Sequence, residues 1–148
     1  MIINKPPKGE GYVWLPRALL SSDAWRAQNI HTVRLLHFLL LEHLRHAGQR
    51  NGHLLAPHRQ LYAFGIGKNY VTAAIAQAEQ LGLVACHRGG MRTATKYRLT
   101  WFESCDGKPA TNEWRAYINA NLVPLTPAKV RKCDRQKEGR PAPQMAGR

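Results

Sequence analysis

The most informative pattern of apolar and polar positions lies between residues 51 and 101. A short apolar run at 53–56 predicts a small strand, and Pro57 then stands where the first turn of a helix tolerates proline. The sequence Gly-Ile-Gly at 65–67 predicts a tight turn between this helix and a second helix over 67–81. Helix-turn-helix connections of about three or four residues often contain glycine. The pattern therefore indicates two short helices joined by a tight turn.

The second of these helices has one apolar face and is followed by a predicted β-hairpin. The positions that recur at helical spacing and form that face are Val71, Ala74, Ile75, Ala78 and Leu81. Gly82 ends the helix, an apolar run at 83–86 predicts a strand, and Gly89-Gly90 begins a loop. Alternation of apolar and polar residues over 95–101 predicts a half-exposed second strand. We therefore predict a mainly α fold with a small antiparallel β-wing, an α+β winged helix-turn-helix.

The longest amphipathic segment predicts a helix over residues 32–46, with Thr32 as its N-cap. One face repeats at helical spacing, and Leu35, Phe38 and Leu39 add apolar residues to the remaining surface. A helix that is apolar on most sides either lies at the centre of a core or shares its second face with another segment. Two partners for that face are open: the N-terminal segment of the chain, or a second protomer.

The pattern divides the chain into a domain and three flanking parts. Residues 1–11 are predicted to be a flexible leader, because proline and glycine are frequent there. Residues 12–102 form the predicted winged helix-turn-helix domain, and residues 103–127 form a short C-terminal helical extension with a helix at 111–119. Residues 128–148 are rich in lysine and arginine and lack aromatic residues, which predicts a disordered basic tail.

The charge of the chain indicates a polyanionic partner. Its 148 residues include 22 Lys and Arg against 9 Asp and Glu, which gives a net charge of +13. Lysine and arginine side chains release condensed counterions when they bind phosphates, so nucleic acid is the leading candidate. An anionic membrane surface is the alternative, although the longest apolar run, at 38–41, is too short to span a bilayer. Small basic proteins without a polyanionic partner are also common.

Other functional classes lack their sequence signals. The cysteines, Cys86, Cys105 and Cys133, form no CxxC pair, which disfavours a disulfide framework and a structural zinc site. The N-terminus lacks the apolar run of a signal peptide, and the chain contains no P-loop, GxSxG or HExxH motif. The histidines lack the spacing of a metal site. We therefore expect a cytoplasmic, nucleoid-associated protein that is not an enzyme and has no metal, cofactor or evident small-molecule ligand.

The exposed side of the predicted 67–81 helix suits the DNA major groove. Asn and Gln pair with adenine, Lys pairs with guanine, and Thr or Ala contacts the thymine methyl group. Ala73 and Ala76 keep this side slim enough for a groove about 12 Å wide, and no acidic residue of the helix precedes Glu79. An ordinary solvated helix face has a similar pattern. The candidate contacts from the two helices are Arg59, Lys68, Asn69, Tyr70, Thr72, Ala73 and Gln77.

The loop between the predicted strands is cationic, which favours contact with phosphates or with the minor groove. Its cations surround Gly89-Gly90, two threonines supply hydroxyl donors, and no acidic residue lies between positions 88 and 98. The candidate DNA-binding residues of this wing are Arg88, Arg92, Thr93, Thr95, Lys96 and Arg98.

This stretch resembles the winged helix-turn-helix of DNA-binding proteins from bacterial plasmids, phages and conjugative elements, including alphaproteobacterial transfer repressors and replication proteins. The resemblance covers about residues 14–102 and ends in a YRLTW strand. The positions that carry it are Gly52, Leu54, Leu61, Gly65, Ile66, Val71, Ala74, Ile75, Leu81, Gly82, Leu83, Val84, Arg88 and Gly89. Gly67 departs from the Ser or Thr that often begins the second helix, and it is a weaker cap. No initiator tyrosine or nuclease motif is recognisable, which favours a regulator over a replication initiator.

The sequence hypothesis is a sequence-specific transcriptional regulator, a repressor, that binds double-stranded DNA with helix 67–81 and wing 88–98. A homodimer is expected from the apolar helix over 32–46 and from the need to read more base pairs than one module covers. Two alternatives stay open. One is a plasmid or phage replication or mobile-element accessory protein with a DNA target, and the other is a winged-helix module that binds protein.

Overall fold

Two one-turn helices, α1 (Arg17–Leu20) and α2 (Asp23–Arg26), precede the long helix α3 (Ile30–Arg45). The computed structural model describes residues 5–125. Helix α3 begins earlier than predicted, because the Asn29 side chain accepts a hydrogen bond from the Thr32 backbone N–H at 2.9 Å. Thr32 lies in the first turn and is fully buried. The N-cap is therefore Asn29, and the prediction for Thr32 was wrong.

Helix α3 lies at the centre of the hydrophobic core. Its most deeply buried side chains are Leu35, Leu36 and Leu39. On another side, the ring of Phe38 packs edge-on against that of Phe64, with centroids 5.5 Å apart. Near the C-terminal end the leader approaches so closely that a Cβ on Gly11 would lie 3.3 Å from Leu44 Cδ2. The second apolar face, formed by Leu35, Phe38 and Leu39, is at most 3% exposed and is therefore covered by the same chain. Phe38 of this face meets Phe64, which lies outside the N-terminal segment that the sequence analysis offered as a partner.

A pair of short helices crosses this core. Helices α4 (His58–Ala63) and α5 (Val71–Gln80) are joined by a turn in which Gly65 adopts a φ of +103°. Ile66 points inward between them and is 1% exposed, which fixes the turn to the core. The second predicted helix begins as a 3-10 turn, Lys68–Tyr70, before the α-helical part. The order of two helices separated by a tight turn is thus as predicted.

The strands form one small antiparallel sheet. Its members are β1 (Leu54–Leu55), β2 (Val84–His87) and β3 (Lys96–Leu99), in the order β1-β3-β2. Cys86 pairs with Tyr97 across the hairpin, and Tyr97 is buried under the helices. The mixed helices and three-stranded sheet make an α+β fold that is compatible with a winged helical domain.

A buried asparagine fixes the segment that follows the sheet. The Asn51 side chain accepts a hydrogen bond from the Leu99 backbone N–H at 2.7 Å. Its amide group faces the backbone carbonyl oxygens of Leu99, Phe102 and Glu103 at 3.0–3.2 Å. Since Asn51 is 0% exposed, these bonds replace all of its contacts with water. These hydrogen bonds therefore fix the backbone conformation of the segment that follows β3.

The C-terminal extension packs onto the domain but is not the helix predicted at 111–119. Its regular part is a 3-10 turn, Glu113–Ala116, and Trp114 in this turn is 4% exposed within the core. Gly82, with a φ of +73°, lies so close that a Cβ there would be 2.7 Å from the Glu113 carbonyl carbon. The predicted basic tail, residues 128–148, lies outside the described residues.

Candidate nucleic-acid interface

Helix α5 and the hairpin enclose a shallow groove of about 230 Å³. Its lining comes from α4, α5 and the β2–β3 hairpin, namely His58, Thr72, Ile75, Ala76, Arg88, Thr95 and Tyr97. The groove brings Thr72, Arg88 and Thr95, which the sequence assigned to two separate elements, onto one surface. We call this surface the helix–hairpin groove.

The start of the second helix is exposed beside this groove. Lys68, Asn69 and Tyr70 are all exposed, and no side-chain hydrogen bond caps the turn that they form. The Tyr70 ring stacks on His31 of α3, with centroids 4.1 Å apart and an interplanar angle of 5°. The Lys68 ammonium lies 5.6 Å from the centroid of the Tyr62 ring. Aromatic contacts therefore position two of the three candidate side chains.

Along α5 the outward positions carry small side chains. Thr72, Ala73 and Ala76 are exposed, whereas the residues between them are buried in the core. Neither of the alanines extends beyond its Cβ. This side of α5 is therefore slim, which is the shape that entry of a helix into the major groove requires.

Gln77 differs from its predicted role as a DNA contact. Its side-chain oxygen accepts hydrogen bonds from the Asn29 backbone N–H, at 3.0 Å, and from the Thr32 hydroxyl. Its amide nitrogen donates to the Ala27 carbonyl at 3.4 Å. The Gln77 side chain therefore ties α5 to the N-terminal end of α3 and is not available to read bases.

Acidic residues from outside the loop neutralise two of the wing cations. Arg88 forms a two-pronged ion pair with Glu79 of α5, with N–O distances of 2.9 and 3.2 Å. The hydrogen bond and the charge of Glu79 raise the pKa of Arg88. Arg98 pairs with Glu113 at 3.1 Å. The loop sequence contains no acidic residue, but Glu79 and Glu113 from other parts of the chain lie beside its arginines.

The wing candidates also divide between the two faces of the sheet. Thr95 lines the helix–hairpin groove. Lys96 and Arg98 alternate with the buried Tyr97, so their side chains lie on the opposite face. There they line a separate depression of about 460 Å³ with Asp106 and Lys108. Lys96 and Arg98 therefore do not share a surface with α5, in contrast to the sequence prediction.

The hairpin tip and α4 supply cations that have no acidic partner. Arg92 and Thr93 are exposed in the loop, where Arg92 adopts a φ of +68°. Arg59 is exposed on α4. Within residues 5–125, neither arginine nor Lys68 has a carboxylate within 4.0 Å. Arg59, Lys68 and Arg92 are therefore free to meet a phosphate beside the groove.

Several residues at this surface were missed by the sequence interpretation. His58 lines the groove, His31 supports Tyr70, and Arg34 donates to the Gly65 carbonyl in the turn between the helices. Each belongs to a helix whose spacing predicts its face, but no local pattern predicts which distant turn that face meets. These contacts become visible only when the elements are packed.

Two other groups are of types that can act as a nucleophile or as metal ligands: the Cys86 thiol, and the cluster of His53, Cys105 and Asp106. Burial raises the pKa of the Cys86 thiol to about 11, so it stays protonated near neutral pH and is a poor nucleophile. The side chains of His53, Cys105 and Asp106 place donor atoms within 4.8 Å of one another, although all three are exposed. The sequence interpretation did not bring these three together, because His53 lies about fifty residues before Cys105 and Asp106.

Comparisons with known proteins give little independent information. No protein-family model matches the chain, and no curated protein sequence matches it. A solved structure described as the N-terminal domain of DNA binding protein is similar, with 16% identity and a TM-score of 0.44. The match covers 78% of this chain and 92% of that chain. At this level of similarity the function has to be inferred from the chain's own residues.

The membrane alternative has a structural finding of its own. Among the helices of residues 5–125, none is both long enough and apolar enough to cross a bilayer.

Proposed function

We propose that the protein is a winged helix-turn-helix regulator that binds double-stranded DNA in a sequence-specific way and acts as a repressor. The observation that carries this proposal is the slim, exposed side of α5 beside the helix–hairpin groove. Asn69, Thr72 and Ala73 stand on that side, and the unpaired cations Lys68 and Arg92 flank it. A helix of this shape with cations at its margins fits a major groove bounded by phosphates.

Each side chain then has a defined role in binding. Asn69 would form a two-fold hydrogen bond with adenine, while Thr72 and Ala73 would contact thymine methyl groups. The uncapped N–H groups at the start of the second helix would bind a phosphate. In this role Gln77 holds the helix in place without contacting a base.

The hairpin would contact the DNA backbone or the minor groove. Arg92 and Thr93 at the tip supply the contacts, and Arg88 fixes the hairpin to α5 through Glu79. Lys96 and Arg98 lie on the far face of the sheet and are assigned no base or phosphate contact. The wing part of the interface is thus smaller than the sequence predicted.

The number of copies on DNA stays a prediction. The second apolar face of α3 no longer argues for a homodimer, because Leu35, Phe38 and Leu39 are at most 3% exposed within the single chain. The remaining argument is that one module reads few base pairs. The proposed role needs no catalysis and no cofactor, and it places the protein with DNA in the cytoplasm.

Selection of preferred sequences from a random double-stranded DNA pool, at physiological salt, tests the proposal. We expect a short preferred motif and a steep loss of affinity as salt rises. Two motifs about one helical turn apart would indicate two copies bound together. A pool that shows no enrichment, with no binding of duplex DNA at low salt, would refute the proposed function.

A further inference from the structure

A second pocket lies at the opposite end of α3 from the helix–hairpin groove. It has a volume of about 500 Å³ and is bounded by the leader, the end of α3 and the chain after β3. This volume is within the range of about 300–1,000 Å³ that is typical of small-molecule sites. The side chains that matter are Glu10, Tyr12, Trp14, His43, Phe102 and Glu103. We call it the acidic pocket.

The charge of the acidic pocket is opposite to that of the chain. Glu10 and Glu103 line it, whereas none of the Lys and Arg residues within positions 5–125 does. Neither carboxylate has an ion-pair partner within residues 5–125. In a chain of net charge +13, this pocket is therefore lined by two carboxylates and, within the part of the chain that the structure describes, by no lysine or arginine.

Aromatic rings form the walls of the same pocket. Trp14 packs edge-on against Phe102 with centroids 5.0 Å apart, yet Trp14 remains 56% exposed. The rings of His43 and Phe102 stack at 4.7 Å. An exposed indole face beside free carboxylates attracts a cation through its quadrupole and through charge.

His43 adds a polar group that has no partner. It is 7% exposed, and its Nδ1 forms no hydrogen bond within the described chain. Burial lowers the pKa of His43, so the imidazole is neutral near pH 7 and adds no positive charge to the pocket. Because this nitrogen has almost no accessible surface, His43 contributes to the pocket a neutral ring stacked on Phe102.

We propose that the acidic pocket binds a small organic cation, an ammonium group attached to an apolar body. The carboxylates of Glu10 and Glu103 would pair with the charge, and the Trp14 face would cover the apolar body. An inorganic cation would use the carboxylates but not the aromatic walls. A neutral aromatic compound would leave the carboxylates unused.

The site is independent of the DNA-binding surface. The two cavities share no lining residue. On α3, His31, which contacts Tyr70, and His43, which lines the pocket, are 12 residues apart, about 18 Å along the helix. His31 lies near the DNA-facing end and His43 near the pocket end. Failure of cation binding would therefore not affect the proposed DNA function, and failure of DNA binding would not affect the pocket.

The test titrates the full chain with benzyltrimethylammonium at constant ionic strength. Binding is followed by calorimetry and by the indole N–H signal of Trp14, which Trp14→Leu identifies. We expect saturable binding, a shift of that signal, and no binding of benzenesulfonate, which has a similar ring and the opposite charge.

Variants separate the pocket from general charge. Glu10→Gln with Glu103→Gln should weaken binding at least about ten-fold, because both carboxylates are lost. Asp106→Asn removes an exposed carboxylate outside the pocket and should change binding less than about two-fold. Circular dichroism and duplex DNA binding serve as folding controls. Absence of saturable binding, equal binding of the sulfonate, or equal weakening by Asp106→Asn would overturn the proposal.

Discussion

The two ends of α3 carry surfaces of opposite character. At the N-terminal end His31 stacks on Tyr70, and the neighbouring surface is slim, polar and flanked by unpaired cations. At the C-terminal end His43 is buried beside Trp14, Phe102 and two free carboxylates. One helix thus supports a surface suited to a polyanion and a pocket suited to a cation.

The contrast between the two ends of α3 shows that the net charge of the chain does not predict the local charge of either surface. A charge of +13 predicts attraction to nucleic acid, but it is the placement of acids that decides where such attraction acts. Glu79 and Glu113 neutralise two wing arginines, while Glu10 and Glu103, at the other end of α3, form no ion pair with any residue in 5–125. Among the described residues, the cations near the groove that have no carboxylate partner are Arg59, Lys68 and Arg92.

The largest expected effect is a loss of folding stability when Asn51, which holds the segment after β3 beside the acidic pocket, is replaced. Asn51→Ala should lower the free energy of unfolding by about 3 kcal/mol, because it leaves buried backbone groups at Leu99, Phe102 and Glu103 without partners. Urea denaturation measures this loss. Asn69→Ala, an exposed asparagine at the other end, is the matched control and should change stability little. A loss below about 1 kcal/mol for Asn51→Ala would contradict the assigned role.

The next effect concerns two of the amide side chains of the second helix, Asn69 and Gln77. Asn69→Ala should weaken binding to the preferred DNA sequence by about 1–3 kcal/mol and relax the base preference at one position. Fluorescence anisotropy with matched and mismatched duplexes measures both changes.

Gln77→Ala is the contrasting variant on the same helix. It should lower stability by about 1 kcal/mol, since it removes the bonds to Asn29 and Ala27, but leave the base preference unchanged. If Gln77→Ala relaxed the preference and Asn69→Ala did not, the assignment of outward and inward amides would be reversed.

A smaller effect distinguishes the two groups of wing cations. Arg92→Ala should reduce the slope of log affinity against log salt by about one, because an unpaired cation at the hairpin tip contacts a phosphate. Arg98→Gln should leave that slope unchanged, since Arg98 pairs with Glu113 on the other face of the sheet. Equal slopes for the two variants would show that the division between the faces has no role in binding.

The smallest effect is a dependence of stability on pH. Burial holds the pKa of His43 below its usual value of 6.5, so below pH 6.5 the unfolded chain binds a proton that the folded chain does not. Stability therefore falls as pH falls through that value. His43→Phe should flatten this part of the stability–pH curve, as measured by urea denaturation between pH 5 and 8. His37→Gln, at an exposed histidine of the same helix, is the matched histidine substitution.

Much of the fold was predictable because its signals are local. The glycine at position 65 and the periodic apolar positions of α5 mark the turn and the helix, and both are present where the sequence placed them. The hairpin follows from alternation around Gly89-Gly90. The predicted helix boundaries were less accurate. Helix α3 begins at Ile30, because the side chain of Asn29, and not that of Thr32, caps it.

The candidate site was only partly predictable because its electrostatics are not local. Arg88 and Glu79 are close in sequence, but Arg98 meets Glu113 only after the extension folds back. Gln77 lies on the exposed side of an isolated helix and becomes internal only through its bonds with the start of α3. Periodicity predicts on which face of a helix or strand a residue lies, but it does not predict which distant segment packs against that face.

The close approach of Gly82 to the 3-10 turn at Glu113–Ala116 determines where a stable fragment of this protein can end. A fragment that stops at residue 102 would lack Trp114 and leave an apolar hole where the indole now sits. A transplantable version of the domain, fused to another protein, therefore has to extend through Ala116.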